Sequence, residues 1–436
     1  MMELNKIYQG NNLEVLKTFP DNSIDSFVTD PPYGLKFMGK HWDYDIPKVS
    51  VFEEMYRTIK PGGYILIACG TRTQHRMAVN IEDAGFEIRD VISWLYGSGF
   101  PKSLDISKAI DKQAGAQREQ GSEKVSPDGI PMSKRTPNSK DGYHPSHNVM
   151  SGATKHNIYN SLPSTDAAKQ WEGWGTALKP AQEFWTLARK PLSENTVAEN
   201  VLKHGTGGIN IDGCRIDLNG IDKTSGGCKG STKGSTYVWS NGNAVSEDNS
   251  KGRFPSNVIL DEFMGKELDK QTGILTSGGG DKGNKSDGIG MFKNGKEFNS
   301  EIFTQNEGGA SRFFYCPKAD NFQRNKGLKD FDKGEPPASA RSKAAEGREN
   351  ALGNPRANHH PTVKPIDLMR YLVKLITPKG GLTCDPFCGS GTTLIGAKLE
   401  LINFIGIERE KEYCEISEAR IEAWNPDKYK SQTLFK

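Results

Sequence analysis

Residues 381–400, GLTCDPFCGSGTTLIGAKLE, decide the fold because they join a short strand, a glycine loop and the start of a helix. Gly389 and Gly391 lie between the strand and the helix, where glycine lets the backbone adopt a positive φ and approach a ligand closely. The helix N-terminus beyond them offers free N–H groups to a carboxylate or a phosphate. The stretch therefore predicts an α/β fold with a ligand at this loop.

A carboxylate follows the glycine loop at a spacing that suggests the ligand. Glu408 ends the next predicted strand, NFIGIE, nineteen residues after Gly389. In Rossmann-like folds an acid about 20 residues downstream binds the two hydroxyls of an adenosine ribose. The loop lacks the third glycine of a dinucleotide fingerprint and the G-K-[ST] ending of a P-loop. It therefore favours an adenosine cofactor without a pyrophosphate, such as S-adenosylmethionine; the alternative is a tight turn with a solvated glutamate.

Strand-like and helix-like runs alternate at both ends of the chain. SIDSFVTD, GYILIAC and FEIRDVISWLY are rich in β-branched and aromatic residues, and VFEEMYRTIKPGG and PIDLMRYLVKLI carry apolar residues at helical spacing. We therefore expect one α/β sheet flanked by helices, built from residues 1–101 and 358–436. Residues 102–357 are polar and rich in Gly, Ser, Pro and Lys, which predicts a loop-rich insertion.

The composition limits the function classes. The 436 residues carry a net charge of only +3, so nucleic-acid binding would have to come from local patches. Seven scattered cysteines without a CxxC pair argue against a disulfide framework or a zinc site, and we interpret Cys384 and Cys388 as packing residues. His359 and His360 lack a partner cluster, so we expect no metal. No run approaches the ~20 apolar residues of a membrane span, and we expect a cytoplasmic protein.

The stretch TDPPYG, residues 29–34, places two prolines between an acid and an aromatic ring. The Asp30 carboxylate and the Pro31 carbonyl could accept hydrogen bonds from an exocyclic amino group, because Pro32 restricts the backbone before it to an extended geometry. Tyr33 offers a flat face on which an extruded base could stack. The turn is therefore a candidate site for amine methylation; the alternative is an ordinary proline-rich turn with a core tyrosine.

These stretches resemble a known family. TDPPYG and DPFCGSGTT are similar to the target-amine and cofactor motifs of amino-group DNA methyltransferases, and their order resembles the permuted β group. HPTVKP resembles the segment before the cofactor strand, and GIERE resembles the segment with the ribose-binding acid. KPAQEFWTLARKPL, HGTGGINIDGCRI and ASRFFYCPKAD resemble stretches of phage and bacterial members. The resemblance implies a Rossmann-like, circularly permuted S-adenosylmethionine-dependent methyltransferase sheet, with target recognition in the insertion.

The resemblance also implies roles for single residues. The target-amine residues are Asp30, Pro31, Pro32 and Tyr33. The cofactor-binding residues are Asn11, Asp30, Thr362, Lys364, Asp385, Phe387, Gly389, Ser390, Gly391, Thr392 and Glu408. Asn11 departs from the family pattern, because members often carry an aspartate there that accepts from the adenine amino group of the cofactor. Its amide oxygen can accept the same hydrogen bond without a charge.

The insertion supplies candidates for DNA contact. Its basic residues in one polar segment are Arg324, Lys326, Lys329, Arg341, Lys343 and Arg348. Acids are interleaved with them, so a solvated loop explains this segment equally well. Trp171, Trp174 and Trp185 are more often core residues than base-stacking residues, although the resemblance implies a hairpin at about 171–192 beside the target pocket.

The sequence therefore predicts a base-flipping methyltransferase acting on N6 of adenine in a specific sequence of double-stranded DNA. Many members of the β group resemble dimers, so the resemblance suggests a homodimer. An aspartate in the first motif position is commoner among adenine enzymes of this family, and cytosine N4 is the near alternative. More distant alternatives are methylation of an RNA or protein amide, a DNA-binding protein without catalysis, and a dehydrogenase. No endonuclease signature is present, which favours an orphan or phage-borne enzyme over one with a restriction partner.

Overall fold

The computed structural model describes residues 2–35, 44–97, 99, 103–125, 159–216, 252–277, 306–315, 321–328, 358, 360 and 363–428. The chain divides into two compact units. The first unit comprises Met1–Tyr96, Gln182–Asp330 and Thr362–Lys436, and the second comprises Gly97–Ala181 and Phe331–Pro361. All the strands of the main sheet belong to the first unit.

The described residues form strands and helices in alternation. The strands are β1 (Lys6–Gln9), β2 (Ile24–Thr29), β3 (Ile59–Gly70), β4 (Glu87–Leu95), β5 (Glu119–Glu123), β6 (Tyr159–Leu162), β7 (Gln182–Arg189), β8 (Val258–Leu260), β9 (Leu275–Ser277), β10 (Asn306–Gly308), β11 (Leu382–Asp385) and β12 (Asn403–Glu408). The α-helices are α1 (Asn12–Lys17), α2 (Val49–Thr58), α3 (Gln74–Asp83), α4 (Ile106–Gln113), α5 (Asp166–Gln170), α6 (Val197–His204), α7 (Glu262–Thr272), α8 (Asn321–Asn325), α9 (Ile366–Ile376), α10 (Thr392–Leu399) and α11 (Lys411–Glu422). Short 3-10 helices lie at Asp212–Cys214, Ala310–Phe313 and Pro426–Lys428.

Eight strands form one sheet in the order β1-β12-β11-β2-β3-β7-β4-β8. Every pairing in it is parallel except those of β7, which runs antiparallel to both β3 and β4. The predicted α/β sheet flanked by helices is therefore confirmed, with the strand of the TDPPYG turn preceding the cofactor strand along the chain. Strands β7 and β8 lie within residues 102–357, so the sheet also includes strands from the predicted insertion. The boundaries of the three predicted regions, 1–101, 102–357 and 358–436, stay a prediction.

The central strands are apolar on both faces because helices cover both sides of the sheet, as is usual for parallel strands. Ile65 and Leu66 are successive residues of β3 that point to opposite faces, and each is fully buried. Ile65 packs in a cluster with Phe52 of α2, whereas Leu66 packs in a second cluster with Leu372 of α9. Helix α9 begins directly after Pro365, as the apolar spacing of PIDLMRYLVKLI predicts.

The direction of the strands determines where the site lies. Strands β1, β12, β11, β2 and β3 run parallel, so their carboxyl ends meet at one edge of the sheet. The residues that follow or end these strands are Asn11, Glu408, Asp385, Asp30 and Gly70. Ligands of open α/β sheets bind outside the carboxyl ends of the strands. The candidate cofactor and target residues are therefore brought to the same edge.

The second unit is held by a buried acid. Strands β5 and β6 pair antiparallel, and helix α4 begins after Asp105, whose side chain accepts from the Lys108 N–H. The carboxylate of Asp111 on α4 accepts hydrogen bonds from the backbone N–H of Thr165 at 3.0 Å and from the Arg118 guanidinium at 2.8 Å. These contacts join α4 to the start of α5.

Among the described residues, no helix is both long and apolar enough to span a bilayer.

The substitution Trp185→Ala should lower the free energy of unfolding by about 3–5 kcal/mol, because this side chain on β7 is fully buried in the core. The matched control is Trp174→Ala in the second unit, where the indole is 61% exposed and a loss below about 1 kcal/mol is expected. Urea unfolding followed by circular dichroism measures both. Equal losses in the two variants would contradict the assignment of Trp185 to the core.

Candidate functional site

The glycine loop between β11 and α10 turns through two left-handed residues. Gly389 has φ 50° and Gly391 has φ 78°, and the Gly391 N–H donates to the Cys388 carbonyl at 2.7 Å. A Cβ at Gly391 would lie only 2.0 Å from the Ser417 hydroxyl of α11. A larger residue is therefore excluded at this position both by its φ and by its neighbour.

Glu408 at the end of β12 lies directly beside this loop. Its Oε2 accepts from the Gly389 N–H at 2.9 Å, and its Oε1 accepts from the Glu410 N–H at 2.9 Å. Burial raises the pKa of Glu408 above its ordinary value, while the backbone donors oppose that rise. Each carboxylate oxygen has a second lone pair, so both remain able to accept from a vicinal diol.

Asp385 joins the cofactor strand to the strand of the TDPPYG turn. Its buried Oδ1 accepts from the Thr29 hydroxyl at 2.5 Å and from the Phe387 N–H at 3.0 Å. Burial raises the pKa of Asp385 to about 6, although the hydrogen bonds from Thr29 and Thr393 lower it. Because its carboxylate is enclosed by protein donors, Asp385 positions the loop, and the half-buried Phe387 beside it remains open to a ligand.

Arg420 on α11 binds the glycine loop. No sequence pattern identified Arg420 as a residue of the site. Its guanidinium donates to the Ser390 carbonyl, to the Ser390 hydroxyl at 2.9 Å and to the Thr392 hydroxyl at 3.3 Å. A further N–H reaches the Gln323 carbonyl at 3.3 Å. Burial lowers the pKa of Arg420 to about 10, with the nearby Arg324 adding to the effect. The side chains of Ser390 and Thr392 and the Ser390 carbonyl thus face Arg420.

The TDPPYG turn carries a compact group of charges, which we name the target cluster: Asp30, Tyr33, Glu183 and Lys364. Asp30 Oδ1 accepts from the Tyr33 hydroxyl at 2.6 Å, and Asp30 Oδ2 accepts from the Lys364 ammonium at 2.7 Å. The Lys364 ammonium also lies 3.0 Å from Glu183 Oε2. The structure therefore brings together three residues that the sequence selected and one that it did not.

Glu183 is the residue of the target cluster that the sequence analysis missed. It lies on β7, in register with Gly70 of β3 and Trp94 of β4, within the stretch KPAQEF. The sequence analysis used this stretch only for its family resemblance and its tryptophans. The glutamate in it was the signal that could have identified a further site residue. Glu183 Oε2 also lies 3.3 Å from the Tyr33 hydroxyl, which donates more closely to Asp30.

Burial and charge act together on the target cluster. Burial raises the pKa of Tyr33 well above its ordinary value, and the negative charges of Asp30 and Glu183 raise it further. Burial alone lowers the pKa of Lys364, but the same two carboxylates outweigh it and raise the pKa above its ordinary value. Lys364 is therefore an ammonium and Tyr33 a neutral hydroxyl at any physiological pH.

The neighbours of Tyr33 fix its position. The Thr73 hydroxyl donates to the Tyr33 carbonyl at 2.8 Å, and a Cβ at Gly70 would lie 3.2 Å from the Tyr33 ring. Pro31 is buried and Pro32 is half-buried. Tyr96, just after β4, packs on Trp94 with ring centroids 5.1 Å apart; burial and then Glu183 raise the pKa of Tyr96 to about 12. These contacts restrain the position of Tyr33 in the turn.

The remaining candidates from the sequence have varied surroundings. Asn11 is exposed at the N-terminus of α1 and accepts from the Leu13 N–H at 3.0 Å, while the adjacent Gly10 N–H donates to the Glu408 carbonyl at 2.9 Å. Lys326 lies 3.7 Å from the centre of the Trp424 ring. Among the described residues, no group of three or more potential ligands could hold a metal ion. The following candidates from the sequence analysis lie outside the described residues: Thr362, Lys329, Arg341, Lys343, Arg348 and His359.

The glycine loop and the target cluster lie at the same edge of the sheet, where open α/β sheets bind ligands. The glycine loop follows β11, and Glu408, at the end of the neighbouring strand β12, accepts from the Gly389 N–H of this loop. Lys364 and Asp30 supply one cation and one anion on the target side of the same edge. The fold and the site thus define an α/β protein of the nucleoside-cofactor-binding class.

Comparison with known proteins identifies the family. The model of the DNA methylase family, which covers N6 and N4 methyltransferases, matches residues 24–419. The chain therefore belongs to this family of amino-group DNA methyltransferases, whose cofactor is S-adenosylmethionine. The family resemblance and the cofactor predicted from the sequence are both confirmed.

Individual relatives are similar over short segments. The Type II methyltransferase M2.DpnII of Streptococcus pneumoniae is 46% identical over 69 residues, which are 16% of this chain and 26% of the relative. The Type II methyltransferase M.BglI of Bacillus subtilis is 39% identical over 77 residues, 18% of this chain and 22% of the relative. These matches span about a quarter of each curated relative. The crystal structure of an M1.HpyAVI complex with S-adenosylmethionine aligns with a TM-score of 0.37 and 14% identity, over 95% of this chain and 98% of that chain.

The substitution Asp385→Asn should change how stability depends on pH. Because the pKa of Asp385 is raised from 3.8 to about 6, its stabilising contribution is full below about pH 4 and is lost as the pH rises through about 6. A shift of two pKa units corresponds to about 3 kcal/mol. The variant should therefore gain up to about 3 kcal/mol relative to wild type between about pH 4 and pH 8, measured by urea unfolding. A difference that stays constant with pH would contradict the raised pKa.

Proposed function

We propose that this protein transfers a methyl group from S-adenosylmethionine to the exocyclic N6 of an adenine flipped out of double-stranded DNA. The observation that carries the proposal is the Asp30 carboxylate, held between Tyr33 and Lys364 at the sheet edge that also bears the glycine loop. The membership of the chain in an amino-group methyltransferase family supports it.

The target turn suits the chemistry of an aromatic amine. The lone pair of an exocyclic amino group is delocalised into the base ring, so hydrogen-bond acceptors on its protons are needed to localise it on nitrogen. Asp30 supplies a fixed carboxylate, since Tyr33 and Lys364 each bind one of its oxygens and leave further lone pairs. The Pro31 carbonyl is the proposed second acceptor. An acceptor placed in advance favours the transition state because it need not reorganise during the reaction.

The cofactor residues have separate tasks. The bound S-adenosylmethionine supplies an electrophilic methyl group on its sulfonium. In the proposal the backbone of the glycine loop from Gly389 to Gly391 lies against the nucleoside, and Glu408 accepts from the ribose hydroxyls. The resemblance places Lys364 near the carboxylate of the amino-acid tail and Asp30 near its amino group. Thr362, Asn11 and Phe387 remain proposed contacts.

A basic turn next to the target cluster supports DNA as the substrate. Arg72 lies in the turn before α3, and His75 and Arg76 lie in the first turn of that helix; all three are exposed. Thr73, between them, donates to the Tyr33 carbonyl. Within the described part of the chain, neither Arg72 nor Arg76 is engaged in a salt bridge. Backbone phosphates that flank a flipped nucleotide would lie next to the target pocket, so this turn is suited to hold them.

Asp30 also supports adenine over cytosine, because the resemblance associates an aspartate in this position with adenine enzymes. Incubation with unmethylated genomic DNA and S-adenosylmethionine, followed by mass spectrometry of the nucleosides, should yield N6-methyladenine. Asp30→Ala should lower the rate by at least about 10²-fold, since a preorganised polar contact of the transition state is lost. N4-methylcytosine as the product would overturn the choice of base, and the absence of both products would overturn DNA methylation.

The substitutions Arg72→Gln and Arg76→Gln should each weaken DNA binding and reduce its salt dependence. One phosphate contact fewer lowers the slope of log K against log salt concentration by about 0.9. Arg89→Gln is the matched control, since Arg89 is exposed near the start of β4, at the opposite edge of the sheet. Fluorescence anisotropy with a duplex oligonucleotide at several salt concentrations measures the slopes. Slopes unchanged in both variants would remove this turn from the DNA interface.

A further inference from the structure

The target cluster contains one carboxylate more than the proposed methyl transfer requires. Glu183 is not part of the TDPPYG turn, yet its side chain is only 18% exposed and its Oε2 lies 3.0 Å from the Lys364 ammonium. Lys364 itself is 9% exposed, and its ammonium lies closer to Asp30 Oδ2, at 2.7 Å. A second buried acid is costly to keep in this position unless its charge is compensated.

The hydrogen bonds show how the charge is divided. The Lys364 ammonium has three protons and three acceptors in reach, namely Asp30 Oδ2, the Tyr33 oxygen at 3.2 Å and Glu183 Oε2. The single Tyr33 proton is directed to Asp30, at the shorter distance. Glu183 is therefore neutralised only through Lys364, and its Oε1 has no hydrogen-bond partner among the described residues.

Two carboxylates and one ammonium give the target cluster a net charge of −1. Without Glu183, Lys364 and Asp30 would form an exclusive ion pair, and the field of the Asp30 carboxylate would be largely cancelled at short range. With Glu183 present, the ammonium is shared, so negative charge remains on the Asp30 side, where an amine would develop positive charge. The two arrangements differ in electrostatics and not in packing.

We infer that Glu183 is a positioning residue of the target site, which shares the Lys364 ammonium and so leaves Asp30 negatively charged toward the target amine. The inference rests on the proposed function for its catalytic consequence. Its structural part, the sharing of Lys364, stands on the distances alone. Glu183 acts through Lys364, without contact with the base.

The first test separates charge from shape. Glu183→Gln keeps the size of the side chain and removes its charge, and Glu183→Asp keeps the charge. We expect Glu183→Gln to lower kcat by about tenfold to a hundredfold while the KM for DNA stays within about threefold, because charge preorganisation acts on the transition state. Glu183→Asp should retain at least part of kcat. Equal kcat values for the two variants, or a wild-type kcat for Glu183→Gln, would overturn the inference.

The matched control is Glu87→Gln. Glu87 forms a salt bridge at 2.7 Å with Arg189, at the other end of β7, so the variant removes a glutamate charge from the same sheet away from the target cluster. Its kcat should stay within about twofold of wild type. Circular dichroism and melting temperatures verify that all the variants fold.

A second measurement is independent of methyl transfer. Competitive acetylation of lysines at several pH values, followed by peptide mass spectrometry, reports the fraction of each amine that is unprotonated. Glu183→Gln should move the titration of Lys364 to lower pH, because one of the two carboxylates that raise its pKa is lost. An unchanged titration would overturn the sharing of Lys364. If wild type shows no methylation while Lys364 shifts as expected, the proposed function fails and the sharing of Lys364 stands.

Discussion

The parallel pairing of β2 with β11 is the contact on which the rest of the site depends. It aligns Ser26 with Thr383 and Phe27 with Cys384, across more than three quarters of the chain. The Thr29 hydroxyl extends the pairing with its hydrogen bond to Asp385. Because both strands end at the same edge of the sheet, the target turn and the glycine loop emerge side by side. An amino group and a methyl donor held there would need no movement of one domain toward another.

A second constraint is the cost of placing charge at this edge. Asp30 and Glu183 are partly buried, and two like charges in such a place repel each other unless a cation lies between them. Lys364 removes that cost and, because it is shared, leaves the target cluster negative overall. The site thus resembles other preorganised active sites, in which fixed charges are assembled during folding and are available before the substrate binds.

The glycine loop is made rigid by groups outside it. Arg420 on α11 holds the Ser390 carbonyl, Glu408 on β12 holds the Gly389 N–H, and the close contact between Gly391 and Ser417 sets the path of the chain. These restraints come from two elements that follow the loop in the sequence, β12 and α11. A loop fixed in this way loses little entropy when a cofactor binds, so its backbone can hold a ligand without side-chain charges of its own.

The sequence by itself determined the local units and the family. Helix α9, the strands β2, β3 and β12, the glycine loop and the acid Glu408 follow from patterns only a few residues long, because periodicity and backbone preference are local properties. The motif order and the resemblance then identified the family and its cofactor. Only the tertiary structure decided that Glu183 joins Asp30 and Lys364, that Ser390 turns toward Arg420, and that Trp185 is buried while Trp174 is exposed. These facts depend on which strands become neighbours, and the order of strands in a sheet is set by long-range packing, which no local pattern records.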